Sequence, residues 1–171
     1  QILKTTGGLS SNAPLNAGSG TILLEANDNV TIGANLTTSN DTADAIRVIA
    51  GKNENAGTKT GGSVVISSSP TISVGASSGR ATFFSGDISD STGLTNLVGS
   101  GTGKFRYNAD DTTDFSSGNW QNLTTGKFAV YREQPTATLT TRSRIYGDDL
   151  NLNEITASSG LVNGDTLDSA S

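Results

Sequence analysis

"TILLEANDNVTIGA", residues Thr21–Ala34, sets a polar run, Asn27-Asp28-Asn29, between two apolar ones. Such a run can be a calcium-ligand loop, a carboxylate presented for catalysis, or a corner where a strand turns. A calcium loop needs several oxygen ligands spaced along it and a tight Gly, as in D-x-[DN]-x-[DN]-G. Asp28 is one carboxylate, and Asn and Asp commonly satisfy their own backbone in corners. The stretch therefore predicts a corner between strands.

A second copy supports that reading. "SVVISSSPTISVGA" (Ser63–Ala76) can be laid under "TILLEANDNVTIGA" at an offset of 42 residues. Ile22, Leu23 and Leu24 then fall on Val64, Val65 and Ile66, and Val30 and Ile32 on Ile72 and Val74. The corner Asn27-Asp28-Asn29 falls on Ser69-Pro70-Thr71, so Pro70 fills the place of Asp28. After a slip of seven residues, "AIRVIAG" (Ala45–Gly51) lies over "RATFFSG" (Arg80–Gly86). The first copy is longer by part of "TTSNDTADA", expected to bulge between strands. Each copy reads as three short strands, with alternation such as Val30-Thr31-Ile32 giving one inner and one outer face.

Three short strands recurring in order, with no helix between them, predict an all-β chain and a right-handed parallel β-helix (solenoid). An antiparallel sandwich also uses short strands with frequent turns and is the second reading. Composition agrees with an ordered, turn-rich chain. Of 171 residues, 21 are Gly and only 3 are Pro; apolar residues make up 33%, but in spaced runs that a disordered polar tract would lack.

The missing residue types narrow the chemistry. With no Cys there is no disulfide, thiolate zinc site or thiol nucleophile. With no His the commonest general base and metal ligand are gone. The lysines, Lys4, Lys52, Lys59, Lys104 and Lys127, lie in no S-x-x-K context. A net charge of −5 with 11 Lys plus Arg argues against nucleic acid as a partner. No apolar run approaches the ~20 residues of a membrane helix, so membrane insertion is not expected, and no signal peptide is visible. The lack of Met makes the chain read as a processed product or a segment of something longer.

Further along, four features carry a functional reading beside a plainer one. "YNADDTTD" (Tyr107–Asp114) is the densest acidic stretch, and Asp110, Asp111 and Asp114 could bind a cation or serve catalysis; a connecting segment explains them as well. "GSGTGKF" (Gly99–Phe105) invites a phosphate-loop reading, but Val98 stands where Gly is needed and Phe105 where Ser or Thr should be. Asn29, Asn35, Asn40 and Asn122 each begin an N-x-S/T sequon, a frequent accident in an Asn/Thr-rich chain. Trp120, the one Trp, reads as a capping hydrophobe or a sugar-stacking platform. No catalytic, cofactor or metal residue is assigned.

"GTILLEANDNVTIGANLTTSN" (Gly20–Asn40) resembles the repeats of filamentous-haemagglutinin-like adhesins, the large exoproteins of Gram-negative two-partner secretion, with their flavour of G-x-I-x-L-x-A-x-x-D/N-I-T-L. Residues 18 to about 107 fit that style. "RIYGDDLNLNEITASSGLVNGDTL" (Arg144–Leu167) is similar to mostly-β, Gly-rich repeats often called MBG domains, through Tyr146-Gly147-Asp148 and the run Leu161–Leu167. A repeat of that family runs to about twice the length present after Pro135, so this module is expected to be incomplete.

The resemblance implies β-helix repeats over 1–107, a capping or connecting segment over 108–134, and a partial MBG-like β module over 135–171. It implies a structural and adhesive segment of a secreted, extracellular, cell-surface exoprotein, a stiff stalk or fibre and not an enzyme. Expected partners are sibling copies, by head-to-tail stacking or strand exchange, and a host or matrix glycan or protein. The alternative is a β-helical carbohydrate-binding or carbohydrate-active protein, a lyase or hydrolase.

Overall fold

The computed structural model describes residues 1–100, 103–115, 123–139, 155–159 and 161–162. Its strands run, in chain order, β1 (Ile2–Thr5), β2 (Leu9–Ser11) and β3 (Leu15–Asn16), then β4 (Ile22–Ala26), β5 (Val30–Ile32) and β6 (Leu36–Thr37). A third set follows: β7 (Ile46–Ala50), β8 (Val64–Ile66) and β9 (Ile72–Ser73). After these come β10 (Arg80–Ser85), the short helix α1 (Leu94–Val98), β11 (Phe105–Arg106) and β12 (Gly126–Tyr131). A separate antiparallel pair joins β13 (Thr136–Leu139) to β14 (Ile155–Ser159).

The fold is all-β, and its main sheets are parallel. One sheet has the order β1-β4-β7-β10-β12-β11, a second β2-β5-β8 and a third β3-β6-β9. Each strand through β7 thus pairs with the strand three places on, and consecutive strands belong to different sheets. A set of one strand from each sheet forms a level: β1–β3, β4–β6 and β7–β9.

Pairing between the first two levels has a constant period. Ile2 lies beside Leu23, Leu9 beside Val30 and Leu15 beside Leu36, in every case 21 residues on. The next step lengthens, with Leu24 beside Val48, Val30 beside Val64 and Leu36 beside Ile72. About ten residues enter between β7 and β8.

This register corrects the 42-residue alignment. Val64–Ile66 stacks on Val30–Ile32, not on Ile22–Leu24, and Ile72 stacks on Leu36, not on Val30. The alignment slipped by one sheet because three-residue apolar runs separated by Asn/Gly/Ser corners are interchangeable in pattern. The second alignment holds residue for residue: Ile46 pairs with Ala81, Arg47 with Thr82, Val48 with Phe83 and Ile49 with Phe84. β12, inside the stretch expected to cap, lies within the first sheet between β10 and β11.

Alternation explains burial. Ile22, Leu24 and Ala26 on β4 point inward with Val30, Ile32 and Leu36, and all six are fully buried. Ile46, Val48, Ala81, Phe83, Ala129 and Tyr131 continue the same interior. Each fully buried Val, Leu, Ile or Phe contributes roughly 1.5–3 kcal/mol relative to exposure. Tyr131 stacks between Phe105 and Tyr107, with ring centroids 6.4 and 6.0 Å away.

The outward face of the first sheet is also apolar near its middle. Ile49, Phe84, Phe128 and Val130 gather there with Ala109 and Leu123. Ala109 and Leu123, from the described residues between β11 and β12, pack on that face.

Candidate functional site

The opening corner is built from backbone satisfaction. Asp28 accepts the Asn29 amide on its own Oδ1 at 2.9 Å, and its carbonyl accepts the Gly51 amide at 3.2 Å. Asn29 reaches both ways along the stack. Its carbonyl accepts the Leu9 amide at 2.9 Å, and its Oδ1 accepts the Ser63 amide at 2.7 Å. Asn35 repeats the device, taking the Leu15 amide on its carbonyl at 2.9 Å and the Thr71 amide on Oδ1 at 2.8 Å. Each asparagine stands just before a buried strand residue, Val30 or Leu36, and brackets three levels at a corner. The counterpart of the Ser69-Pro70-Thr71 corner is thus the one at Asn35, not Asn27-Asp28-Asn29. Asn40, a third sequon residue, accepts the Thr42 amide on Oδ1 at 2.9 Å and donates from Nδ2 to the Ser19 carbonyl at 3.0 Å.

The extra residues between β7 and β8 are held differently. Arg132, just past β12, is 2% exposed and fans its guanidinium across four carbonyls. Nε donates to Thr58 at 3.0 Å, Nη1 to Ala50 at 2.6 Å, and Nη2 to Thr60 at 3.1 Å and Gly62 at 2.9 Å. In return Gly57 donates its amide to the Arg132 carbonyl at 2.8 Å. Gly51, at φ 65°, is required here, since a Cβ would strike the guanidinium. Desolvation lowers the Arg132 pKa, with Glu54, Asp110 and Asp111 acting against it. Sequence reading missed this residue because its partners lie 70 to 82 positions away.

Asp110 and Asp111 act on the same loop. Asp110 takes the Ala56 amide on Oδ2 at 2.9 Å and the Thr112 amide on Oδ1 at 2.8 Å. Burial works to raise its pKa, but bonds from the Thr112 hydroxyl, the Ala56 and Thr112 amides and Thr113 prevail and hold it below the ordinary carboxylate value. Asp111 pairs with Lys52 at 2.5 Å. Asp87 is built like Asp110. Burial raises its pKa, yet bonds from the Ser89 hydroxyl and from the Asp90 and Ser89 amides, with Lys59 beside it, leave it lowered.

Of the other sequence candidates, Gly99 ends α1 at φ 91°, and Lys104 turns back to the Val98 carbonyl at 3.4 Å. Trp120, Asn122, Tyr146-Gly147-Asp148 and residues 163–167 lie outside the described residues.

A groove of about 490 Å³ opens on the outward face of the first sheet. Arg47, Arg80, Thr82 and Phe84 line it together with Phe115 and Leu123. Three carboxylates, Asp44, Asp111 and Asp114, stand around it. Arg47 lies over the Phe84 ring, its Cζ 5.3 Å from the centroid, and donates to the Asp111 carbonyl at 3.1 Å. Arg80 donates from Nη1 to the Leu123 carbonyl at 2.7 Å. Desolvation lowers the Arg80 pKa, opposed by Asp44 and assisted by Arg47. Among the described residues no three acidic groups converge where an ion could be held. The groove was readable in one respect, because the "AIRVIAG" over "RATFFSG" register already sets Arg47 beside Thr82.

Fold and groove together define an all-β protein whose main sheets are parallel, with a charged, partly apolar cleft on a sheet face. Comparison with protein-family models, curated proteins and solved structures finds no match to this chain. Among the described residues no helix is long and apolar enough to cross a membrane.

Proposed function

We propose that the levels coil as a right-handed parallel β-helix that serves as a stiff structural and adhesive segment of a secreted cell-surface protein. The observation that carries this reading is the pairing order, in which every strand from β1 to β7 stacks in parallel on the strand three places later. Such an arrangement lengthens by adding levels, each covering the apolar interior of the last.

The reading includes head-to-tail association of sibling copies. β1, β2 and β3 stand at one end of the three sheets, where a further level, of the same chain or of a second copy, would stack. Ile2 is 68% exposed and Leu3 39% exposed, and a hollow of about 160 Å³ lies beside Leu3, Leu9 and Leu15. Three parallel strands from a second copy would continue the register there.

A lyase or hydrolase role has less support. Asp110 is bonded to backbone amides and Asp111 to Lys52, which leaves neither carboxylate placed as an acid or base.

Electron microscopy and sedimentation of the purified chain over a range of concentrations test the proposal. Filaments of uniform width that lengthen with concentration are expected, and Leu3→Glu should shorten them. A single monomer species at every concentration would overturn the self-association.

A further inference from the structure

The acidic stretch crosses the outward face of the first sheet as a strap. β11 is the last strand of that sheet, and the chain leaving it stays tied to the end of β12 beside it. Asn108 donates its amide to the Glu133 carbonyl at 3.0 Å, and Ala109 donates to Tyr131 at 3.2 Å. The next partners lie further in. Arg47 on β7 donates to the Asp111 carbonyl at 3.1 Å, and Lys52, just past β7, pairs with the Asp111 carboxylate at 2.5 Å. Asp110 takes the Ala56 amide at 2.9 Å. Since the sheet order is β7-β10-β12-β11, residues 108–111 pass from its edge over β12 and β10 to β7. Ala109 packs on the way with Ile49, Phe84 and Val130.

The two ends of the strap are held differently. The near end joins a backbone ladder, whereas the far end is held by charge and hydrogen bonds to β7 and to the loop after it. Of residues 109–113, Ala-Asp-Asp-Thr-Thr, only the first is apolar. Their tip closes on itself: Asp110 accepts the Thr112 amide on Oδ1 at 2.8 Å and donates its own amide to the Thr113 hydroxyl at 3.0 Å. It can therefore move as a unit. The side chains of Lys52 and Arg47 are each 31% exposed, so water reaches the ties and replaces them when they part. Between the ends Asn108 stands exposed at φ 51°, a left-handed kink that sets the tip off from the ladder.

We propose that residues 109–113 are a strap that opens from its far end about Asn108, exposing Ile49 while the parallel stack stays folded. Ties that solvent reaches, made to a loop outside the ladders, give way before buried strands do. Asp111 and Thr113 belong to the lining of the neighbouring groove, so opening also widens it. The device does not depend on the rod reading, since a strictly monomeric chain carries it equally.

Two single-cysteine variants of the full chain test the opening through their rates of reaction with dithionitrobenzoate. Ile49→Cys lies in the cluster with Ala109, and Val48→Cys, its neighbour on β7, lies in the interior. Ile49→Cys should react at least about tenfold faster and with a much shallower urea dependence, because it waits only for the strap. Lys52→Met, which removes the far-end ion pair, should speed Ile49→Cys about threefold. Asn29→Ala, remote from the strap, should speed Val48→Cys and leave Ile49→Cys unchanged. Amide exchange of the unsubstituted chain gives a second reading that needs no new side chain. The Ala56 amide, held by Asp110, should exchange with a shallower urea dependence than the Val30 amide, which donates to Ser63 within the stack. Equal rates and slopes for the two cysteines, no response of Ile49→Cys to Lys52→Met, or equal slopes for the two amides would each overturn the proposal.

Discussion

Between the first and second levels the chain returns to the same sheet position after 21 residues in all three sheets. Between the second and third it takes longer, and unequally. Leu24 meets Val48, but Val30 must wait for Val64. The two regions are stabilised by different means. In the regular part the backbone ladders suffice, the amides of Leu9 and Leu15 finding the carbonyls of Asn29 and Asn35 one level away. Where extra residues enter, the loop has no ladder to join, and buried charged side chains supply the missing acceptors and donors. Arg132 gathers four carbonyls, and Asp110 takes the amides of Ala56 and Thr112. Departure from the repeat is thus matched by burial of charge.

The contrast can be broken most sharply at Arg132. Arg132→Ala leaves four carbonyls facing a void, and removing one side of a buried charged arrangement costs about 3–5 kcal/mol. Urea unfolding should show a lowered midpoint, with amide exchange rising first over residues 51–62. Asp110→Ala should follow, costing ~1–3 kcal/mol by orphaning the Ala56 and Thr112 amides, and is read by the same unfolding curve.

Acid should act on the looped region as well. Asp87 and Asp110 have folded pKa values below the ordinary 3.8, so between the folded and unfolded values the unfolded chain binds more protons. Their contribution is complete above the unfolded pKa and is lost as pH falls through the folded pKa. Thermal midpoints measured from pH 6 downward should drop in that acid range, and Asp87→Asn with Asp110→Asn should flatten the fall.

Corner bonding predicts a smaller effect. Asn29→Ala removes the Oδ1 that takes the Ser63 amide and should cost ~1 kcal/mol, measured by chemical unfolding. A loss as large as that of Arg132→Ala would erase the distinction between the buried charge that holds the extra residues and ordinary corner bonding.

Much of this architecture was legible in the sequence, and the unread parts share a cause. Alternation in Val30-Thr31-Ile32 and the corner at Asp28 depend on near neighbours, so they could be read directly. "AIRVIAG" over "RATFFSG" gave the right register because both runs are long enough to be distinctive. The first level lies within the 1–107 expected to be β-helix, but the two-copy alignment left it out because "ILKTTGGLSSNAPLN" has few apolar residues, although Leu9 and Leu15 stand at the same period as Val30 and Leu36. The 42-residue alignment failed because the loop between β7 and β8 has no counterpart in the preceding level. Arg132, Arg80 and Thr82 acquire their meaning only when distant strands stack.

The register itself is the most direct test of the account. The chain has no Cys, so paired cysteines can be introduced without interference. Thr31→Cys with Val65→Cys places two thiols on neighbouring strands, since Thr31 is the register partner of Val65. Leu23→Cys with Val65→Cys places them where the 42-residue alignment would have made them neighbours. Treated with dibromobimane, which bridges only closely spaced thiols, the first pair should become cross-linked and fluorescent while the second stays dark. Cross-linking of Leu23 to Val65, with none between Thr31 and Val65, would contradict the parallel three-sheet register.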